Sequence, residues 1–141
     1  MKKYYSKIDP EKILHIVKRI SDIEKQDQHR IDIIDPLNFI QCSCLKMPKD
    51  KTFKPHRHIF KPNRNSIVIA QESWVVIRGK VNCTFYDIDD SWLVSTILEP
   101  GDACFTLEGG HNYRAIEENT IVYEYKTGPY EGQSKDKIFI T

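Results

Sequence analysis

Apolar and polar positions change their spacing once along this chain. Over residues 9–27, Ile13, Ile16, Val17, Ile20 and Ile23 recur at helical intervals and mark one apolar stripe. Asp9 suits a helix cap, Pro10 the first helical position and Glu11 the positive end of the helix dipole. This predicts an amphipathic helix that packs outside the remaining structure and carries His15 on its flank. Beyond Arg30 the pattern becomes short runs of β-branched and aromatic residues separated by turn signals, which predicts strands. They fall over 31–34, 38–46, 66–78, 80–87, 92–98, 102–107, 112–116 and 120–126. Asp87-Ile88-Asp89-Asp90 reads as a hairpin tip and Glu99-Pro100-Gly101-Asp102 as a tight turn. Many short strands at close spacing predict an all-β sandwich or closed barrel. A helix and lead-in strand occupy 1–37 and a barrel with a C-terminal extension 38–141, within one domain.

Composition narrows the class. The 141 residues carry 21 basic and 20 acidic side chains, a net charge of +1 with no basic stripe, so nucleic acid is not an expected partner. No apolar run approaches the ~18 residues that cross a bilayer, and Met1-Lys2-Lys3-Tyr4-Tyr5 leads into polar residues rather than a leader's apolar stretch. No membrane association is expected. Cys42, Cys44, Cys83 and Cys104 lack metal or redox spacing and read as reduced core thiols, which makes the cytoplasm the expected compartment.

The candidate chemistry begins at His56-Arg57-His58. Histidines at i and i+2 on an extended segment project to the same side of a sheet. Glu72, in an otherwise apolar strand, is costly to bury unpaired. With His111 these residues form a ligand set suited to a divalent transition ion. A salt bridge from Glu72 to Arg57 or Arg78 is the competing account of that carboxylate, and His29 reads as an ordinary exposed histidine.

Over residues 38–126 the chain resembles the cupin superfamily. That family's first motif holds a glycine, five residues, a His-x-His pair, a glutamate, six residues and a glycine. Here Asp50 takes the first glycine's place, Lys51 to Pro55 precede His56 and His58, and Ser73 to Arg78 separate Glu72 from Gly79. The second motif resembles Gly101 to His111, one residue short before its histidine, with Leu107 where proline is usual. Thirteen residues, Ile59 to Gln71, intervene before Glu72 where three or four are usual. A one-residue slip in register there would exchange faces and present Gln71 instead of Glu72. Gly109-Gly110-His111 and the ending Glu124 to Tyr130, with Asp136-Lys137, resemble short bacterial cupins found among surface-polysaccharide and nucleotide-sugar genes. The resemblance implies a jelly-roll (double-stranded β-helix) barrel and a link to carbohydrate metabolism. It also implies a homodimer, with the N-terminal segment as the candidate cover for a partner's sheet edge.

Three imidazoles and one carboxylate leave positions open on a bound Fe, Mn, Ni or Zn ion, which suits isomerase-type Lewis-acid work or, for iron, dioxygenase chemistry. Trp74 shares a strand face with Glu72, and Tyr113 shares one with His111, so either can meet a sugar ring or serve as a donor. Glu124 and Lys126 share a face opposite Tyr123 and Tyr125, and Glu124 is a general-base candidate if its face lines the cavity. Lys54 and Arg57 flank the histidines as candidate contacts to phosphate or carboxylate. The expected function is a metal-dependent enzyme acting on a small, oxygenated, sugar-derived molecule. A metal-free sugar ketoisomerase or epimerase and a noncatalytic ligand-binding module stand as alternatives.

Overall fold

Paired strands satisfy most of this chain's backbone. The structure, a computed structural model describing residues 1–63 and 66–141, opens with β1 (Lys2–Tyr5), β2 (Ile13–Val17), α1 (Ile20–Glu24), β3 (Arg30–Asp32) and β4 (Ile40–Met47). It continues through β5 (His56–His58), β6 (Phe60–Asn63), β7 (Ser66–Ile69), β8 (Glu72–Arg78), β9 (Val81–Tyr86) and β10 (Trp92–Leu98). The last strands are β11 (Ala103–Thr106), β12 (Gly110–Ala115), β13 (Thr120–Thr127) and β14 (Lys137–Phe139). Two five-stranded antiparallel sheets carry the architecture, ordered β10-β9-β12-β5-β14 and β11-β8-β13-β4-β3. They pack face to face in the all-β jelly-roll expected from the sequence.

The period-2 alternation of strand side chains fills the space between the sheets. Leu45, Met47, Trp74, Val76 and Val122 from one sheet meet Val81, Cys83, Tyr113 and Ala115 from the other in a single buried cluster. Outside, Ile23, Ile33, Cys42, Cys44 and Ile121 form a second cluster on the back of the β4–β13 face. All four cysteines are free and buried, as their spacing implied. Two of the turns explain the glycine spacing of the sequence pattern. Gly79 has φ +73°, and a Cβ there would collide with Thr120. Asp50, where the family pattern has glycine, holds φ +65°, a left-handed conformation that aspartate tolerates better than most residues.

The N-terminal helix over 9–27 is corrected to something shorter. Ile13–Val17 is a strand, paired antiparallel with Lys2–Tyr5, and His15 faces Tyr4 across that ladder. Asp9-Pro10-Glu11 forms the turn between them rather than a helix start: Ser6 Oγ accepts from the backbone N–H of Ile8 and of Asp9, both at 3.0 Å. Only Ile20–Glu24 remains helical, and it packs outside the barrel by burying Ile23 completely. The long interval before Glu72 is occupied by the β6–β7 hairpin. Of the predicted insertion 59–71, residues 64 and 65 lie outside the described residues.

Candidate metal centre

Strand register assembles the site. His56 and His58 sit on β5, and His111 on β12 lies directly opposite His56. Glu72 begins β8 in the other sheet, beside Lys126 of β13 and Thr106 of β11. All four side chains are buried, and one ligand atom from each lies within 4.8 Å of every other. Donors on one ion at ~2.1 Å lie no more than about 4.2 Å apart, so the four side chains are grouped close to ligating range. The carboxylate that meets the histidines is that of Glu72, whereas Gln71 is exposed. Neither competing arginine reaches it: Arg57 pairs with Asp90 at 2.8 Å and Arg78 with Glu24.

Glu72 is poised between two imidazoles, with Oε2 3.3 Å from His58 Nε2 and Oε1 3.3 Å from His111 Nε2. Burial alone would raise its pKa, but His111 and His58 hold the carboxyl well below the usual range. Among the described residues, His58 Nε2 and both ring nitrogens of His111 have no hydrogen-bond partner of acceptable geometry. Buried polar atoms are rarely left so. One lone pair from each of His58 and His111, converging with the Glu72 carboxylate, fits a divalent ion.

The other ring nitrogens are anchored. His56 Nδ1 lies 2.9 Å from the carbonyl of Lys54, which sets it as the donor and leaves Nε2 as the lone-pair atom. His58 Nδ1 lies 3.2 Å from the Asp136 carboxylate. Burial, with His111 and Lys137 nearby, pushes the His56 pKa down to about 4. Burial also disfavours a charged His58, yet Asp136 and Glu72 outweigh it and raise that pKa. Asp136 itself resists the effect of its burial and is held low by His58 and Lys126, whose Nζ is 2.9 Å away.

A cavity of about 680 Å³ opens onto this cluster, with His56 and Glu72 in its wall. Trp74, Tyr113, Glu124 and Lys54 line it too. Glu124 faces inward with Lys126; Trp74 Nε1 donates to its Oε2 at 3.1 Å, and Arg30 binds its Oε1 at 2.7 Å. Tyr113 is stacked between His111 and Trp74, with ring centroids 5.0 Å and 4.1 Å away. Its hydroxyl lies 3.6 Å from Cys104 Sγ. Arg57 is not a cavity residue; held by Asp90, it faces away.

Three site members are given no role by the sequence reading: Arg30, Asp136 and Lys137. Asp136-Lys137 enters the sequence pattern only as part of an ending. β14 brings it home by pairing with β5, so that Lys137 lies opposite His58 and Phe139 opposite His56. The alternation Lys137–Phe139, set against His56–His58, was the available signal.

No protein-family model and no curated protein sequence matches the chain. Likeness is found among solved structures. KdgF from Halomonas sp. superimposes with a TM-score of 0.55 at 18% identity, over 72% of this chain and 79% of KdgF. The capsular polysaccharide assembling protein CapF from Staphylococcus aureus gives 0.65 at 15% identity, over 82% of this chain and 31% of CapF. An oxalate decarboxylase variant from B. subtilis gives 0.53 at 14% identity, over 71% of this chain and 24% of that one. The chain thus spans less than a third of the latter two. At these identities the likeness establishes the fold, which is that of the cupins.

Proposed function

With the cupin fold as premise, we propose that this protein is a metal-dependent enzyme acting on a small oxygenated, sugar-derived molecule. His56, His58, Glu72 and His111 are the proposed ligands. The observation that carries this reading is the convergence of three buried imidazoles on one buried carboxylate, with ring nitrogens of His58 and His111 that make no well-formed hydrogen bond. A bound Fe, Mn, Ni or Zn ion would supply Lewis-acid polarisation or, as iron, redox chemistry with oxygen.

The chain's own groups divide the remaining work. Glu124, with only 8% of its surface exposed, stands on the cavity wall with its orientation fixed by Trp74 and Arg30. A carboxylate so held can accept a substrate hydroxyl or take up a proton from it. Asp136 fixes the tautomer of His58, as carboxylates commonly do for metal-bound histidines. The carbohydrate assignment draws support from CapF, described as a capsular polysaccharide assembling protein. Among the described residues no helix is long and apolar enough to cross a membrane.

One observation favours a second reading. Glu72 already contacts His58 and His111, each at 3.3 Å, an arrangement that a metal-free ketoisomerase or epimerase could use to move a proton. Elemental analysis after reconstitution separates the two. One divalent ion per folded chain, largely lost in His56→Ala and His58→Ala and weakened in Glu72→Gln, is the expected result. A folded wild-type protein that retains no ion moves the metal-free isomerase, or a noncatalytic ligand-binding module, ahead. A homodimer belongs to the same proposal, with Trp92 and Phe105 exposed on the edge strands β10 and β11; light scattering checks it.

A further inference from the structure

Charge along the cavity is sorted by position. Arg30 is neutralised by Asp32 at 2.9 Å and Glu124 at 2.7 Å. Near the histidines, Lys61 and Lys126 share Asp136, at 3.4 Å and 2.9 Å. Lys54 and Lys137 also line the cavity here, and among the described residues neither has a carboxylate within ion-pair distance. Lys54 Nζ lies 5.6 Å from the Phe139 ring centroid. Lys137 Nζ lies 3.3 Å from His56 Nε2. Three lysines of the cavity wall, Lys54, Lys126 and Lys137, therefore stand with one wall carboxylate, Glu72, near the histidines, and of the three only Lys126 has an ion-pair partner, Asp136 behind the wall. Asp32 and Glu124 stand beside Arg30 on the sheet that also carries Glu72 and Lys126.

The contact from Lys137 has a consequence for any ion. With His56 Nδ1 turned to the Lys54 carbonyl, Nε2 offers a single lone pair. It cannot serve both the ammonium and a metal, so an ion bound there would free the Lys137 donors and raise the positive charge at this end. Burying uncompensated charge is costly, and an anionic ligand oxygen relieves it.

We propose that the ligand of this cavity is a small polyhydroxylated carboxylate. Its carboxylate lies at the metal end against Lys54 and Lys137, and its hydroxyls donate toward Glu124 and Asp32. The proposal deepens the metal-enzyme reading and rests on it for the ion's charge, but not for the lysines. Neutral sugars fit the volume yet leave the half-buried Lys137 without a counter-charge, so the carboxylate decides affinity.

Calorimetric titration of the metal-reconstituted protein with D-glucuronate and D-gluconate, against D-glucose and D-glucitol, tests this. At least one acid should bind about tenfold or more tighter than its neutral counterpart, the usual scale of a charge-assisted contact. The double variant Lys54→Gln/Lys137→Gln should remove that preference while metal content by elemental analysis stays at the wild-type level. Neither acid binding better than its neutral counterpart, or a preference that survives in the double variant, overturns the proposal. Glucose 6-phosphate binding more tightly than both acids also overturns it, in favour of a phosphate ester. If the protein takes up no metal yet shows the lysine-dependent acid preference, the metal reading fails and the ligand assignment stands. Full metal uptake without acid preference has the opposite meaning: the metal reading stands and the ligand assignment fails.

Discussion

The two ends of the barrel interior are built by the same strands from opposite kinds of residue. Along β8 the inward positions run Glu72, Trp74, Val76; along β12 they run His111, Tyr113, Ala115. On β13 the inward run is Lys126, Glu124, Val122, and on β4 it is Ser43, Leu45, Met47. Each strand thus passes from a polar group at the cavity end to an apolar one two or four residues away. The apolar end is close-packed and joins both sheets, whereas the cavity end holds buried charge that offers little net stabilisation. Rigidity and chemistry are therefore separable by position along one strand. The aromatic stack of Tyr113 on Trp74 lies at the boundary and carries the rigid end's order up to His111.

The largest expected effect that tests this division is at the apolar end. Leu45→Ala should cost about 2–5 kcal/mol in urea unfolding, the range for truncating a buried leucine. Metal bound per folded molecule should not change, and a parallel loss of both would break the comparison. At the other end, Asp136→Asn should weaken metal affinity by about 10–100-fold through loss of orientation at His58. Competition with a chelating dye reads the affinity, and circular dichroism should report an unchanged fold. At the boundary, Tyr113→Phe keeps the stack and removes only the hydroxyl near Cys104. Stability should move by no more than about 1 kcal/mol, and a loss of turnover beyond tenfold would assign the phenol a catalytic role.

The smallest expected effect concerns acid stability. Burial disfavours ionised Asp32, but the Ser43 hydroxyl and Arg30 outweigh it and lower its pKa. A carboxyl depressed in the native state contributes stability above its unfolded pKa of ~3.9. That contribution is lost as pH falls through the lower native value. Because Asp32 is largely exposed, solvent screening keeps the amount under about 1 kcal/mol. Urea midpoints between neutrality and about pH 2 should show Asp32→Asn losing slightly less stability on acidification than wild type.

How much of this was legible in the sequence follows from what each element depends on. The candidate cluster rests on local facts: the i, i+2 spacing of His56 and His58, and the interval from Glu72 to Gly79, which holds a left-handed φ. Those survive in a one-dimensional reading. The N-terminal strand pair does not, because Ile13–Val17 is consistent with a helical stripe until β1 is recognised as its partner. Propensity gives way to pairing there. Asp136 and Lys137 were hidden for a related reason. Nothing near them in sequence requires a strand, and their roles exist only because β14 pairs with β5, more than seventy residues earlier. Arg30 reaches Glu124 across 94 positions, a distance no local pattern encodes.

The four clustered side chains are drawn unequally from the two sheets: His56, His58 and His111 from one, Glu72 alone from the other. An ion gripped by all of them would be a rivet through the sandwich at the end where the apolar core is thinnest. It would also close the long chain excursions that separate those residues, restricting the unfolded ensemble as a cross-link does. Chelation would then be felt mechanically before it was felt chemically. The short pairing of β14 on β5 should be the first part to fray, seen as accelerated amide exchange, while the apolar end of the same strands keeps its protection.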